Sequence, residues 1–233
     1  MNRPSLLVRA ATLASGVALS FVSTAADAPQ AAYSQRVQSL VSQLTLDEKL
    51  SLNTGAKEPT YGGQAAYSLG VARLGIPSLR WADGARGINS AYDATNLPSS
   101  MALAASFNPS LAYRLGLTLG EEARVMKVDV VLAPFVNLAR LPNSSNAQGE
   151  DPLVDAVVAA EMVKGIQSTG AMTMAQQYLA NVQGLHQGGG QNAAEGYDFI
   201  VDERALHEMY LPPFEAAIRA GTTSIMAAYN KVN

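Results

Sequence analysis

Four short apolar runs recur along this chain: Leu79-Arg-Trp-Ala-Asp83, Val128-Asp-Val-Val-Leu-Ala133, Ala171-Met-Thr-Met-Ala175 and Thr223-Ser-Ile-Met-Ala-Ala-Tyr229. Each is bounded by turn signals, and runs of this kind suit strands buried on both faces. Helical patterns fill the gaps between them. Asn108-Pro109 is an N-cap followed by proline at the first helical position, and Leu111, Leu115, Leu119 and Ala123 then share one face. Asp151-Pro152 repeats that start before Val154 to Gln167, and Gly170 stops the helix. Asp202 caps a third expected helix, carrying Leu206, Met209, Tyr210 and Phe214 and closed by Gly221.

Regular strand–helix alternation predicts a parallel sheet. The strand centres lie about 40 to 50 residues apart, and a complete eight-fold barrel takes ~250 residues. The expected fold class is therefore α/β, the N-terminal part of a (β/α)8 TIM-type barrel with about half of it present. A small doubly wound sheet is the rival. Two stretches read as long loops at an end of the sheet, Asn53 to Gly70 and His186 to Asn192.

Bulk properties exclude several classes of function. With a net charge of -3 and no basic run, the 233-residue chain offers no face for nucleic acid. No Gly-x-Gly-x-x-Gly follows a strand and no Walker A sequence occurs, so a nucleotide has no predicted site. Cysteine is absent, which removes disulfides and thiolate metal sites. His186 and His207 are far apart in sequence and lack a supporting carboxylate pattern, so neither a metal nor a cofactor is expected. His186 reads as solvated and His207 as a structural or surface residue.

Residues 1–28 read as an export signal. Arg3 and Arg9 give a positive start, Ala10 to Val22 an apolar run, and Ser23 to Ala28 a small-residue cleavage site after Ala26 or Ala28. An uncleaved anchor would want ~20 apolar residues, and this run is shorter and diluted by Ser, Thr and Gly. The expected destination is periplasmic or extracellular in a bacterium, with no membrane attachment after cleavage. The expected domain then spans 29–233.

Six segments, in order, carry a resemblance. They are Arg80-Trp-Ala-Asp-Gly-Ala-Arg-Gly-Ile88, Leu97 to Pro109, Val128 to Arg140, Glu150-Asp-Pro152, Val163-Lys-Gly-Ile-Gln167 and Tyr210-Leu-Pro-Pro-Phe-Glu215. Together they resemble the N-terminal domain of family 3 glycoside hydrolases over about Tyr33 to Asn233. The resemblance implies retaining, β-glucosidase-like or β-xylosidase-like hydrolysis of a β-linked glycoside. It places the aspartate nucleophile downstream of Asn233 and the acid/base in a later domain, so no catalytic residue is expected within the chain.

The resemblance assigns substrate contacts to four residues. Asp83 ends the first strand, where a carboxylate can accept hydrogen bonds from sugar hydroxyls; the alternative is a turn-capping Asp paired with Arg86. Gln176 and Gln177 stand where relatives have Lys-His. Glutamine donates and accepts but carries no charge, which implies either altered specificity or a non-catalytic sugar-binding remnant. Tyr229 ends the last run and is expected beside the nucleophile; the alternative is an aromatic plug at the sheet end. The Gly-Arg-Asn-Phe-Glu of relatives is replaced here by Leu141 to Gly149, Gly184 stands where they often have Glu, and Arg140 reads as a structural loop contact. An unrelated α/β enzyme complete in 233 residues is the remaining alternative.

Overall fold

The computed structural model describes residues 27–56, 65–84, 86–89, 94–141, 147–182 and 198–233. The expected export signal lies outside them up to residue 26, as do His186 and Gly184. The chain divides into two compact units, through Thr45 and from Leu46 onward. The first contains helix α1 (Asp27–Gln43). Among the described residues no helix is long and apolar enough to cross a membrane.

The second unit begins with α2 (Leu46–Asn53) and a short strand β1 (Ala66–Ser68). Strand β2 (Leu79–Asp83) leads through α3 (Ser100–Ala104) and α4 (Pro109–Val125) to β3 (Val130–Leu132). Two small strands, β4 (Asn137–Leu138) and β5 (Ala147–Gly149), precede α5 (Pro152–Gln167) and the long strand β6 (Met172–Tyr178). Then come β7 (Asp198–Phe199), one turn of α6 (Glu203–Ala205), a π-helical turn over Leu206–Tyr210 and α7 (Pro212–Arg219). Strands β8 (Ser224–Ala227) and β9 (Lys231–Val232) end the chain.

The main sheet has the order β1-β2-β3-β6-β8. The four strands β2, β3, β6 and β8 are parallel neighbours in sequence order, and β1 pairs antiparallel with the outer edge of β2. This is the succession of one half of a (β/α)8 barrel, with helices covering one face. The four predicted runs are the four parallel strands. The stretch from Asn53 to Gly70 is not all loop, because Ala66–Ser68 pairs with Leu79–Trp81. Arg80 supports that pairing, its guanidinium lying 5.9 Å from the Tyr67 ring centre.

The three predicted caps form. Asn108 Oδ1 accepts from Leu111 N at 3.1 Å, Asp151 Oδ1 from Leu153 N and Val154 N at 2.8 and 3.0 Å, and Asp202 Oδ1 from Ala205 N at 2.9 Å. The third helix differs from expectation: it is not continuous. Pro212 and Pro213 have no N–H to give, so the ladder loses two successive bonds. The chain instead closes a wider turn, with Leu211 N bonded to Leu206 O at 3.0 Å, before α7 begins.

Period-two alternation sorts the sheet's side chains. Ala82 and Val131 join a core with Leu115, Leu119, Val158 and Met162 from α4 and α5. Ala175 packs with Val163 and Ala217, and Val136, Ala159, Leu179 and Phe214 form a further cluster. Helices α4 and α5 approach closely through glycine: a Cβ on Gly116 would lie 2.5 Å from Met162 O. The alternate residues of the strands face away from the helices.

Candidate active site

Those alternate residues line one cavity of about 770 Å3. From β2 come Trp81 and Asp83, from β3 Leu132, from β6 Met174 and Gln176, and from β8 Met226. Register explains the convergence: Asp83 pairs with Leu132 and Gln176 with Met226, so same-parity residues of neighbouring strands stand side by side. Phe135, Gln177, Tyr229, residues 52–55 at the end of α2, and Ala65, Ala66 and Ser68 at β1 complete the wall. In barrels, chemistry gathers at the C-terminal ends of the strands, and Asp83, Leu132 and Gln176 lie at or near those ends.

All four residues expected to contact substrate reach this cavity. Asp83 is the last residue of β2. Its main-chain carbonyl accepts from Asn89 N at 2.8 Å, which turns the chain back. Gly84 follows because a Cβ there would run into Val131 Cγ1. The Asp83 carboxylate has no hydrogen-bond or ionic partner among the described residues, so the pairing with Arg86 does not form. The residue is exposed. The walls nevertheless remove enough water to raise its carboxyl above the ordinary range.

Gln176 is buried, at 1% exposure, and tied into the sheet. Its Nε2 donates to Leu132 O at 2.7 Å. Its own N–H donates to Pro134 O and its carbonyl accepts from Val136 N, both at 3.0 Å. Gln177 follows directly, yet also faces the cavity. The β6–β8 register shifts between Gln176 and Tyr178, and a shift of this kind re-aims side chains. Gln177 Oε1 accepts from Asn181 Nδ2, while Asn181 N donates to Asn137 Oδ1 at 3.2 Å. Tyr229 lies two residues beyond β8 and is 57% exposed at the rim.

Arg140 does not enter the cavity. Its guanidinium lies 5.8 Å from the Tyr210 ring centre, the loop contact its position suggested. His207 is exposed. Among the described residues no three His, Cys, Asp or Glu side chains come together as a metal site would require.

Residue-by-residue reading passed over Trp81, Phe135, Met174 and Met226 as wall residues. The period-two pattern held the signal for three of them: Trp81 shares parity with Asp83, Met174 with Gln176, and Met226 stands opposite Gln176. Trp81 Nε1 is buried in the wall and has no hydrogen-bond partner among the described residues.

The Glycosyl hydrolase family 3 N terminal domain matches residues 10–233. The chain belongs to glycoside hydrolase family 3. It is 38% identical over 204 residues to a probable beta-glucosidase F of Emericella nidulans, covering 85% of this chain and 23% of that protein. Among solved structures it resembles the beta-glucosidase DesR of Streptomyces venezuelae in complex with D-glucose. The TM-score is 0.77 and the identity 40%, over 85% of this chain and 25% of the other. Beta-glucosidase 3B of Thermotoga neapolitana, in complex with alpha-D-glucose, follows at a TM-score of 0.76 and 34% identity, covering 85% and 30%. This family 3 chain thus spans about a quarter of the length of the relatives it matches.

Proposed function

We propose that this family 3 protein is the sugar-binding portion of an exported, retaining, β-glucosidase-like enzyme of carbohydrate metabolism. The observation that carries the reading is the convergence of Asp83, Gln176, Gln177 and Tyr229 on one cavity at the C-terminal side of the parallel strands. The glucose-bound relatives support a glycoside as the ligand. Asp83 accepts hydrogen bonds from the hydroxyls of the sugar at the cleaved bond. Gln177 and Tyr229 offer neutral donors and acceptors around it, and Trp81 and Phe135 apolar ring surface.

Retaining hydrolysis needs two carboxyl groups about 5 to 5.5 Å apart, a nucleophile and an acid/base. Asp83 is the one carboxyl in the described wall, and it is assigned to binding. The resemblance to family 3 places the catalytic pair in parts of the enzyme beyond this chain, and on that reading the 233 residues alone are expected to be inactive. Export rests on the Arg3 to Ala28 pattern, and N-terminal sequencing of the protein recovered from outside the cytoplasm tests it.

The product of the whole gene, assayed on a panel of aryl β-glycosides, tests the reading. Turnover of aryl β-glucosides with retention of configuration supports it. Binding of glucose with no turnover of any member favours the second reading, a non-catalytic sugar-binding remnant. The observation on the side of that reading is that Gln176 and Gln177 are neutral and held by protein groups, where the family resemblance implies Lys-His.

A further inference from the structure

The charge of the cavity wall is one-sided. Asp83 is the one wall residue among those described that is charged at neutral pH. The other polar side chains of the described wall include Asn53, Thr54, Ser68, Gln176 and Gln177, all neutral amides or hydroxyls. Gln176 gives its donor to Leu132 O and Gln177 accepts from Asn181, so neither neutralises the carboxylate. The same wall carries three aromatic rings, Trp81, Phe135 and Tyr229.

A carboxylate without a protein cation, set among aromatic rings, is the chemistry that recognises an ammonium group. The carboxylate supplies a charge-assisted acceptor, and the ring faces attract a cation. A neutral hexose would use the hydrogen bonds but not the charge. An anionic sugar would meet Asp83 with no cation in the described wall to offset it.

We propose that the cavity selects a sugar bearing an ammonium substituent, an amino sugar, over its neutral counterpart. The proposal rests on the glycoside-binding reading above and names the substrate class of that site. Asp83 supplies the selectivity through its charge, separately from its hydrogen bonds to hydroxyls.

Calorimetric titration of the whole gene product with D-glucosamine, D-glucose and N-acetyl-D-glucosamine tests it, at near-neutral pH where the sugar amine is still largely protonated. Glucosamine is expected to bind about tenfold more tightly than glucose at low salt, equivalent to about 1.4 kcal/mol. The preference should shrink as ionic strength rises, because salt screens the ion pair. N-acetylation should abolish it, as the amide is neutral. Asp83→Asn should shrink the preference several-fold while leaving weaker glucose binding, since asparagine keeps an acceptor and loses the charge; an unchanged preference overturns the role given to Asp83. The salt series on the unsubstituted protein reads the same quantity without any variant.

Equal affinity for glucosamine and glucose, or a preference that salt does not change, overturns the proposal and leaves the glycosidase reading standing. A preference for glucosamine without turnover of any glycoside upholds the charge selectivity and removes the hydrolytic reading. Failure of all three sugars to bind overturns the proposal, and together with no turnover of any aryl glycoside removes both.

Discussion

The side-chain amide of Gln176 donates to the main-chain carbonyl of Leu132, 2.7 Å away on the neighbouring strand. The bond ties β3 to β6 beneath the cavity, so a residue expected to face sugar also holds the sheet together. Gln176→Met keeps the volume and removes the donor. Leu132 O would retain Gly84 N at 3.3 Å, so the carbonyl is not orphaned. The expected loss is about 1 kcal/mol, the middle of the range for the net contribution of one hydrogen bond. Thermal unfolding of the chain and its variant measures it.

Asp83 has a different weight, because its carboxylate has no described protein partner to lose. Asp83→Ala should leave the melting temperature nearly unchanged. In the whole enzyme it should lower kcat/KM on an aryl β-glucoside about 10- to 100-fold, the equivalent of a charge-assisted hydrogen bond at ~1.36 kcal/mol per factor of ten. Steady-state kinetics beside a melting curve separates the two effects.

Asp155 brings a pH dependence. It is fully buried in the first turn of α5. Oδ2 accepts from Gly149 N at 3.2 Å, while Oδ1 has no hydrogen-bond partner among the described residues. Burial, reinforced by nearby Asp151 and opposed by the Gly149 bond, pushes the carboxyl up to about 7. The folded state therefore holds the proton more tightly than the unfolded chain, whose Asp titrates near ~3.9. The resulting stability is fully present below that lower value and is lost as pH rises toward 7. The span is a few kcal/mol at most, of order ~4 for a shift of this size. Asp155→Asn keeps an acceptor for Gly149 N and should flatten the decline between about pH 4 and 7, read as melting temperature against pH.

Gly165 tests the α4–α5 contact. Intrinsic propensity favours Ala over Gly inside a helix by about 1 kcal/mol. A Cβ at Gly165, however, would run into Tyr113 O of α4. Overpacking of this kind typically costs ~1–3 kcal/mol. Gly165→Ala is therefore expected to lower the melting temperature, and Gly55→Ala, where a Cβ meets nothing within 4 Å, should not.

The strands and helix starts were legible because their causes are local. Asn108-Pro109, Asp151-Pro152 and Asp202 state where a helix begins within four residues of chain. Short apolar runs between such helices leave few alternatives to a parallel sheet. The stop near Gly170 was visible too, and its φ of 89° shows why glycine stands there. Even the break before α7 was written in Pro212-Pro213, although a helical pattern of Leu206, Met209 and Phe214 hid it.

The cavity needed more than local pattern. Which residues meet across strands depends on register, and register is set by pairing partners some 40 to 50 positions away. Nothing near Gln176 announces that its amide will be spent on Leu132, or that Gln177 will turn to the same side after a shift in pairing. The lone carboxylate among rings is likewise a property of the assembled wall. Residue types and their spacing establish the parallel strands and helix starts, and the resemblance to family 3 singles out Asp83, Gln176, Gln177 and Tyr229. Their meeting on one surface, and the sign of its charge, arise only when the sheet curls and its alternate side chains share a single space.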